Sequence, residues 1–259
     1  LGHRRFAQNL FSGMQGMGRL WQAASTVDAV LRGDLIVQAK NAGLRSLFIG
    51  FESLSQANLK FSNKTQNIQR NYSEAIQRLK DLGIMINGSF VFGLDDDDPD
   101  VFDRTVEWAV KQGITTATFH IATPYPGTAF YKAIEAQNRL LHRNWKAYDT
   151  RHAVFQPRGM SVKQLEEGYW RAYAQFYSWK NLVRASASHS TLSHATKHFA
   201  YAAGWKKFEP LWDFIIRFKR LNHTLPLLEK ILSTSAATGE NPSLSTTQKL
   251  TGVSIETIV

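Results

Sequence analysis

Repeatedly along the first half of the chain, an amphipathic stretch ends at a glycine and gives way to a short β-rich run. Leu31, Leu35, Ile36 and Ala39 fall near helical spacing and predict a helix over residues 28–42. Gly43 takes the position after it, where a left-handed backbone is cheapest for glycine. Leu47-Phe48-Ile49-Gly50-Phe51 then reads as a buried strand. Tyr72, Ala75, Ile76, Leu79 and Leu82 form the face of a second helix, opened by Asn71 and Glu74 as a variant capping box and closed by Gly83. A strand over 84–92 follows. The third helix carries Val101, Phe102, Thr105, Val106 and Ala109 inward, with Asp98 as cap, Pro99 in the first helical position and Gly113 as stop. Residues 115–121 read as a strand, and an earlier strand is predicted at 20–24.

Strands alternating with helices predict an α/β fold with a mainly parallel sheet. Such folds gather their functional groups at the C-terminal ends of the strands. Here those ends are Ser25-Thr26, Glu52-Ser53, Gly93-Leu94-Asp95 and Thr123-Pro124-Tyr125-Pro126-Gly127-Thr128. Beyond them the pattern turns helical, with helices predicted at 130–141, 162–179, 191–205 and 210–221. From Ser233 onward Ser, Thr, Ala and Gly dominate, which predicts a disordered tail.

Composition narrows the chemistry. None of the 259 residues is cysteine, so disulfides, thiolate metal sites and a cysteine nucleophile are excluded within the chain. No apolar run reaches the roughly 18 residues that span a bilayer. The net charge of +10 points to anionic partners or simply to a solvated basic surface, since the basic residues are dispersed. No Walker A, G-x-S-x-G or clean G-x-G-x-x-G pattern occurs.

Several polar positions carry two readings. Glu52, directly after an apolar strand, can accept hydrogen bonds from paired ribose hydroxyls, or cap a helix, or join a surface ion pair. Gly88 and Gly93 punctuate a strand, as a close ligand approach or a bulge would require. Asp95-Asp96-Asp97-Asp98 offers hard oxygen ligands for a cation, or forms a solvated loop. His120, His142 and His152 are zinc candidates or ordinary hydrogen-bonded histidines. The turn from Thr123 to Thr128 can present backbone groups to an adenine, or be only a stiff loop. Tyr148-Asp149-Thr150-Arg151-His152 can cover a barrel mouth or contact substrate, or serve as an interface or loop anchor. The amphipathic stretch 210–221 suits packing on the domain or a membrane surface.

Taken in order, Phe48-Ile49-Gly50-Phe51-Glu52-Ser53, Asn87-Gly88-Ser89-Phe90-Val91-Phe92-Gly93-Leu94-Asp95 and Thr123-Pro124-Tyr125-Pro126-Gly127-Thr128 resemble the later strands of radical S-adenosylmethionine (SAM) enzymes. Trp145 with Tyr148-Asp149-Thr150-Arg151-His152 resembles the subgroup that carries a cobalamin-binding domain. The resemblance implies a partial (β/α) barrel, the later strands of a (β/α)6 barrel, over 1–145, a helical C-terminal region over 146–232 and a tail over 233–259. It implies SAM, a 4Fe-4S cluster and cobalamin as cofactors of the parent protein. The Cys-x3-Cys-x2-Cys loop and the cobalamin domain would lie upstream.

Glu52 would hold the SAM ribose, with Ser53 beside it. Ser89, Phe92 and Gly93 would lie along the adenine and methionine parts, and His120, Thr123, Pro124 and Tyr125 would line the adenine end. The expectation is therefore a C-terminal fragment of a cytoplasmic SAM-dependent radical enzyme, for methyl transfer or rearrangement, inactive alone. Its partners would be the missing N-terminal barrel, the cobalamin domain, an electron donor and a small-molecule substrate, with no specific nucleic acid and no membrane span. The alternatives are a non-catalytic anion-binding module and a cluster-free barrel enzyme that uses the aspartate run and a metal.

Overall fold

The computed structural model of the chain describes residues 3–55, 57–58 and 72–217, with side chains as far as Lys206. Residues 1–208 form one compact unit and 209–259 a second. The elements in order are α1 (Arg4–Met14), β1 (Trp21–Ser25), α2 (Val27–Leu31), α3 (Leu35–Asn41), β2 (Leu44–Glu52), α4 (Tyr72–Asp81), β3 (Met85–Phe92), α5 (Val101–Gln112) and β4 (Thr116–Ile121). After the sheet come α6 (Ala129–Ala136), a 3-10 turn (Trp145–Ala147), α7 (Val162–Phe176), α8 (Trp179–Ala187) and α9 (Leu192–Arg217). The four strands pair in the order β1-β2-β3-β4, all parallel, so the chain is α/β with helical crossovers.

Alternation along each strand separates two faces. One face carries Leu47, Ile49 and Phe51 of β2, Ile86, Phe90 and Phe92 of β3, and Ala117, Phe119 and Ile121 of β4, all buried. Its aromatic rings form a continuous stack. Phe51 and Phe90 lie 5.5 Å apart, Phe90 and Phe119 5.8 Å, and Phe119 and Phe92 5.5 Å. Phe102 of α5 closes on Phe92 at 4.6 Å, and Phe176 of α7 meets Phe119 edge-on. Each such ring stabilises the fold by roughly 1.5–3 kcal/mol.

The outer edge of β4 is closed by a helix. The Tyr177 hydroxyl accepts from the Ala117 N–H at 3.1 Å and donates to the Ala117 carbonyl at 3.0 Å. Tyr173, one turn earlier in α7, does the same for Phe119 at 3.1 and 3.3 Å. The Thr150 carbonyl takes the next outward N–H, that of Ile121, at 2.7 Å. Two phenols and a loop carbonyl thus replace a neighbouring strand and satisfy groups that would otherwise invite another chain.

Several predicted elements are corrected. The helix expected over 28–42 is two, because Gly33 takes φ +51° and the Arg78 guanidinium bonds the carbonyls of Leu31 and Gly33. α1, which the pattern did not predict, buries Ala7 and Phe11. α5 starts at Val101 and not at Pro99. Asp98 closes the preceding turn, accepting from the Asp100 N–H at 3.0 Å and pairing with Arg104 at 2.9 Å. α6 stops at Ala136, where Asn138 turns left-handed and Leu140 pairs with Phe155. The helix expected over 162–179 breaks at Ser178, whose hydroxyl caps α8. Asn71, the side chains of 210–221 and the tail from Ser233 lie outside the described residues. Among the described residues no helix is long and apolar enough to cross a membrane.

Candidate functional site

The second face of the sheet differs in character. It presents Gln22 and Ala24 of β1, Phe48 of β2, Asn87, Ser89 and Val91 of β3, and Thr118 and His120 of β4. Gln22, Ala24 and Phe48 are exposed. Across the strands Phe48 opposes Asn87, Ser89 opposes Thr118, and Val91 opposes His120. Among the described residues, Asn87 Oδ1 and Thr118 Oγ1 are buried with no hydrogen-bond partner. An orphaned polar atom of this kind costs about 1–3 kcal/mol, so a pair of them in neighbouring strands asks for a ligand or an ordered water.

Strand tips rim this face. Glu52 ends β2 with φ +66°, a left-handed backbone in a non-glycine residue, just where the register with β3 shifts. Strain of this type gathers at ligand sites and is held by its surroundings. A Cβ on Gly50 would stand 2.6 Å from Glu52 Oε1, so a side chain there would displace the Glu52 carboxylate. Beneath, the Tyr72 hydroxyl donates to the Phe51 carbonyl at 3.2 Å, and burial followed by the Glu52 charge raises its pKa. Ser53 is buried, and its hydroxyl accepts from the Ser55 N–H at 3.0 Å.

His120 is half-buried at the tip of β4, its Nδ1 3.3 Å from the Thr150 hydroxyl. Thr150 is itself left-handed, at φ +65°. Burial lowers the His120 pKa, the Glu52 charge raises it and Arg151 lowers it, so the ring is neutral near pH 7. Glu52 and His120 therefore lie close enough to feel each other across the tips. The Thr123 hydroxyl donates to the Ile121 carbonyl at 3.0 Å, Pro124 follows, and Tyr125 stands exposed. Thr128 caps α6 by accepting from the Tyr131 N–H at 3.1 Å.

Not every residue expected at the site faces it. The Phe92 ring lies in the core between Phe102 and Phe119, so this residue offers a ligand only its backbone, and its carbonyl already accepts from Ala122 N–H at 2.8 Å. Gly88 marks neither a bulge nor a ligand. A Cβ there would come 3.1 to 3.2 Å from Phe90, Ile114 and Phe51, so the glycine makes room for core rings. Gly93 does turn the chain at φ +89°, and a Cβ on it would meet Leu165 at 2.8 Å. Ser89 lies buried on the second face, opposite Thr118. Thr118 was not singled out in the sequence and Asn87 was quoted only within its motif; strand parity is the signal that sets both on the face of Ser89 and His120.

The aspartate run is not a cation cage, because its carboxylates diverge; Asp96 and Asp98 are exposed, as in a solvated loop, while Asp95 and Asp97 are tied into the fold. Asp95 pairs with Arg139 at 2.8 Å and Arg158 at 3.2 Å. Asp96 accepts from the Ser55 hydroxyl. Asp97 is buried, accepting from the N–H groups of Gly93 and Leu94 at 2.9 and 3.0 Å and from Asn58 Nδ2 at 2.7 Å. Among the described residues no three His, Asp or Glu side chains converge as metal ligands.

No family model matches the chain. It is 29% identical over 180 residues to the bacteriochlorophyllide d C-12(1)-methyltransferase of Chlorobaculum tepidum, covering 70% of this chain and 39% of that protein. An uncharacterized methyltransferase of Pyrococcus horikoshii is 32% identical over 164 residues, covering 63% and 35%. The anaerobic magnesium-protoporphyrin IX monomethyl ester cyclase of Rubrivivax gelatinosus is 26% identical over 169 residues, covering 65% and 30%. The chain thus spans less than two fifths of the length of these curated relatives. Among solved structures, the radical SAM methyltransferase TsrM of Kitasatospora setae, with cobalamin and a 4Fe-4S cluster bound, aligns with a TM-score of 0.45 at 13% identity, over 78% of this chain and 49% of that one.

Proposed function

We propose, from the premise that this chain is related in sequence to radical SAM methyltransferases and cyclases of the cobalamin-binding group, that it forms the later wall of a partial (β/α) barrel whose strand tips hold the nucleoside of SAM. The orphaned Asn87 and Thr118 atoms, set on the open sheet face with Glu52 and His120 at its rim, carry this reading. The residues fit the nucleoside. The Glu52 carboxylate accepts the two ribose hydroxyls, a charge-assisted pairing. Neutral His120, held by Thr150, offers one donor and one acceptor. The turn of Thr123, Pro124 and Tyr125 lies beside the adenine, where Pro124, with Pro126 after it, cuts the entropy lost on binding. Ser89 lies along the adenine and methionine parts, with the orphaned Asn87 and Thr118 atoms on the same face.

The residues do not fit a 4Fe-4S cluster. Such a cluster is held by cysteine thiolates, and the chain has none. Its ligands, like the cobalamin domain, belong to the N-terminal part of a longer protein of which this chain is the C-terminal portion, inactive by itself. The work of this chain is to bind and orient SAM and to keep water from its reactive end. The boundaries follow the same scheme: barrel wall to residue 145, helical region to 232 and tail beyond. The parent protein works in the cytoplasm with an electron donor. Its relatives act on bacteriochlorophyllide, a protoporphyrin ester and hopanoids. We assign a large polycyclic substrate of that kind, met by the exposed Phe48 ring.

The test uses the full-length protein, reduced anaerobically with SAM and assayed for 5′-deoxyadenosine and S-adenosylhomocysteine. Formation of 5′-deoxyadenosine supports radical chemistry, and S-adenosylhomocysteine beside it supports methyl transfer. Formation of neither, in protein with an intact cluster, refutes the reading.

A further inference from the structure

We propose that Asp97 and Asn58 are a positioning pair that locks the tip of β3 to the loop after β2 and thereby sets the affinity of the strand-tip site for SAM. This inference rests on the reading above. Asp97 and Asn58 are 3% and 1% exposed, so neither is a surface residue with water to spare. Each atom of the pair has one assignment. Asp97 Oδ2 takes the N–H groups of Gly93 and Leu94, the turn that ends β3. Asp97 Oδ1 takes Asn58 Nδ2 at 2.7 Å, and Asn58 Oδ1 takes the Asp96 N–H at 2.9 Å. A parallel link runs beside it, from Ser53 through Ser55 to Asp96.

Glu52 and Gly93 end neighbouring strands, yet each is followed by a loop. The β2–β3 ladder reaches Glu52 and Phe90, and beyond it cross-links between those loops add to it in holding the two tips at a fixed spacing. A buried carboxylate is an expensive way to do this. It is suited to a position where three N–H donors must be held in one geometry. The backbone also leaves no slack: a Cβ on Gly159 would meet the Asp97 carbonyl at 2.0 Å.

The donor and acceptor pattern gives a reciprocal test. In Asp97→Asn the new amide keeps an oxygen for Gly93 and Leu94 but turns its NH2 onto the NH2 of Asn58. In Asn58→Asp two carboxylate oxygens face each other. In the double swap, N58D with D97N, every bond reforms with the roles exchanged and the net charge unchanged.

The experiment is calorimetric titration of SAM into the chain and its variants. It is run far below each melting temperature, with circular dichroism confirming the native fold. We expect each single variant to lose about tenfold or more in affinity, one buried hydrogen bond's worth, and the swap to return within about threefold of wild type. A role in stability alone would leave the affinity of folded D97N unchanged, and that result overturns the proposal. A folded swap that does not regain affinity overturns it as well. If a single variant does not fold, the swap decides alone. Wild type that binds no SAM refutes the functional reading, and this inference with it.

Discussion

Tyr177→Phe removes a single oxygen and tests whether α7 truly terminates the sheet. That oxygen serves both polar groups of Ala117, which is fully buried, and Tyr177 is itself only 4% exposed. The phenylalanine ring keeps the packing against Phe176. The loss is therefore almost purely of hydrogen bonding, leaving one N–H and one C=O in the core. At about 1–3 kcal/mol for each stranded group, and less for the carbonyl, we expect a cost of about 2–4 kcal/mol. For a unit of this size that lowers the melting temperature by roughly 5–15 °C. Tyr173→Phe should cost about half as much, because its bonds to Phe119 are part-buried whereas those of Tyr177 are buried. Urea unfolding followed by circular dichroism measures both. A Y177F cost below about 0.5 kcal/mol, or a larger cost for Y173F, would refute the edge-cap argument.

Gly168→Ala in α7 should destabilise by about 1–2 kcal/mol despite alanine's better helix propensity, because its methyl would meet the Phe102 ring at 2.2 Å; chemical denaturation checks this. Glu52→Gly should raise the melting temperature by relieving the φ +66° backbone, worth about 1 kcal/mol, and weaken SAM binding in the same protein. His189 Nε2 lies 2.8 Å from His198 Nδ1, and burial first, with the Lys80 charge and a neighbouring histidine after it, lowers the two pKa values to about 4 and about 3. Both rings are neutral in the fold, so below about pH 6.5 only the unfolded chain takes up their protons. Stability should then fall by about 1.4 kcal/mol per pH unit per histidine down to about pH 4, and His198→Phe should flatten the slope. Asp97 acts oppositely. Burial pushes its carboxyl up to about 6, so the fold gains a proton first and is favoured as pH falls from about 6 to 4; D97N should steepen the acid loss.

Much of the sheet was legible because two simple signals agreed: apolar runs of strand length and glycines just past helical faces. Gly43, Gly83 and Gly113 all take positive φ at those stops. What escaped was information held between elements. The run from Leu47 to Phe51 reads as buried throughout, yet Phe48 faces away from Leu47 and Ile49 and stands exposed. The same parity sends Phe92 into the core and Ser89 to the open face, a distinction the motif alone does not make. The aspartate run looked solvated because four adjacent charges usually are; Asp96 and Asp98 are exposed, but Arg139, Arg158 and Asn58, distant in sequence, tie Asp95 and Asp97 into the fold. The helix break at Gly33 depends on Arg78, and the end of the sheet on two tyrosines more than fifty residues beyond β4.

Calorimetric titration of SAM into the chain and its Glu52→Gln variant addresses the nucleoside site directly. The arrangement of Glu52, His120 and the turn from Thr123 predicts saturable binding that adenosine competes away, weakened about tenfold or more in E52Q with the melting temperature little changed. Equal binding by both proteins, or none by the wild type, would contradict it.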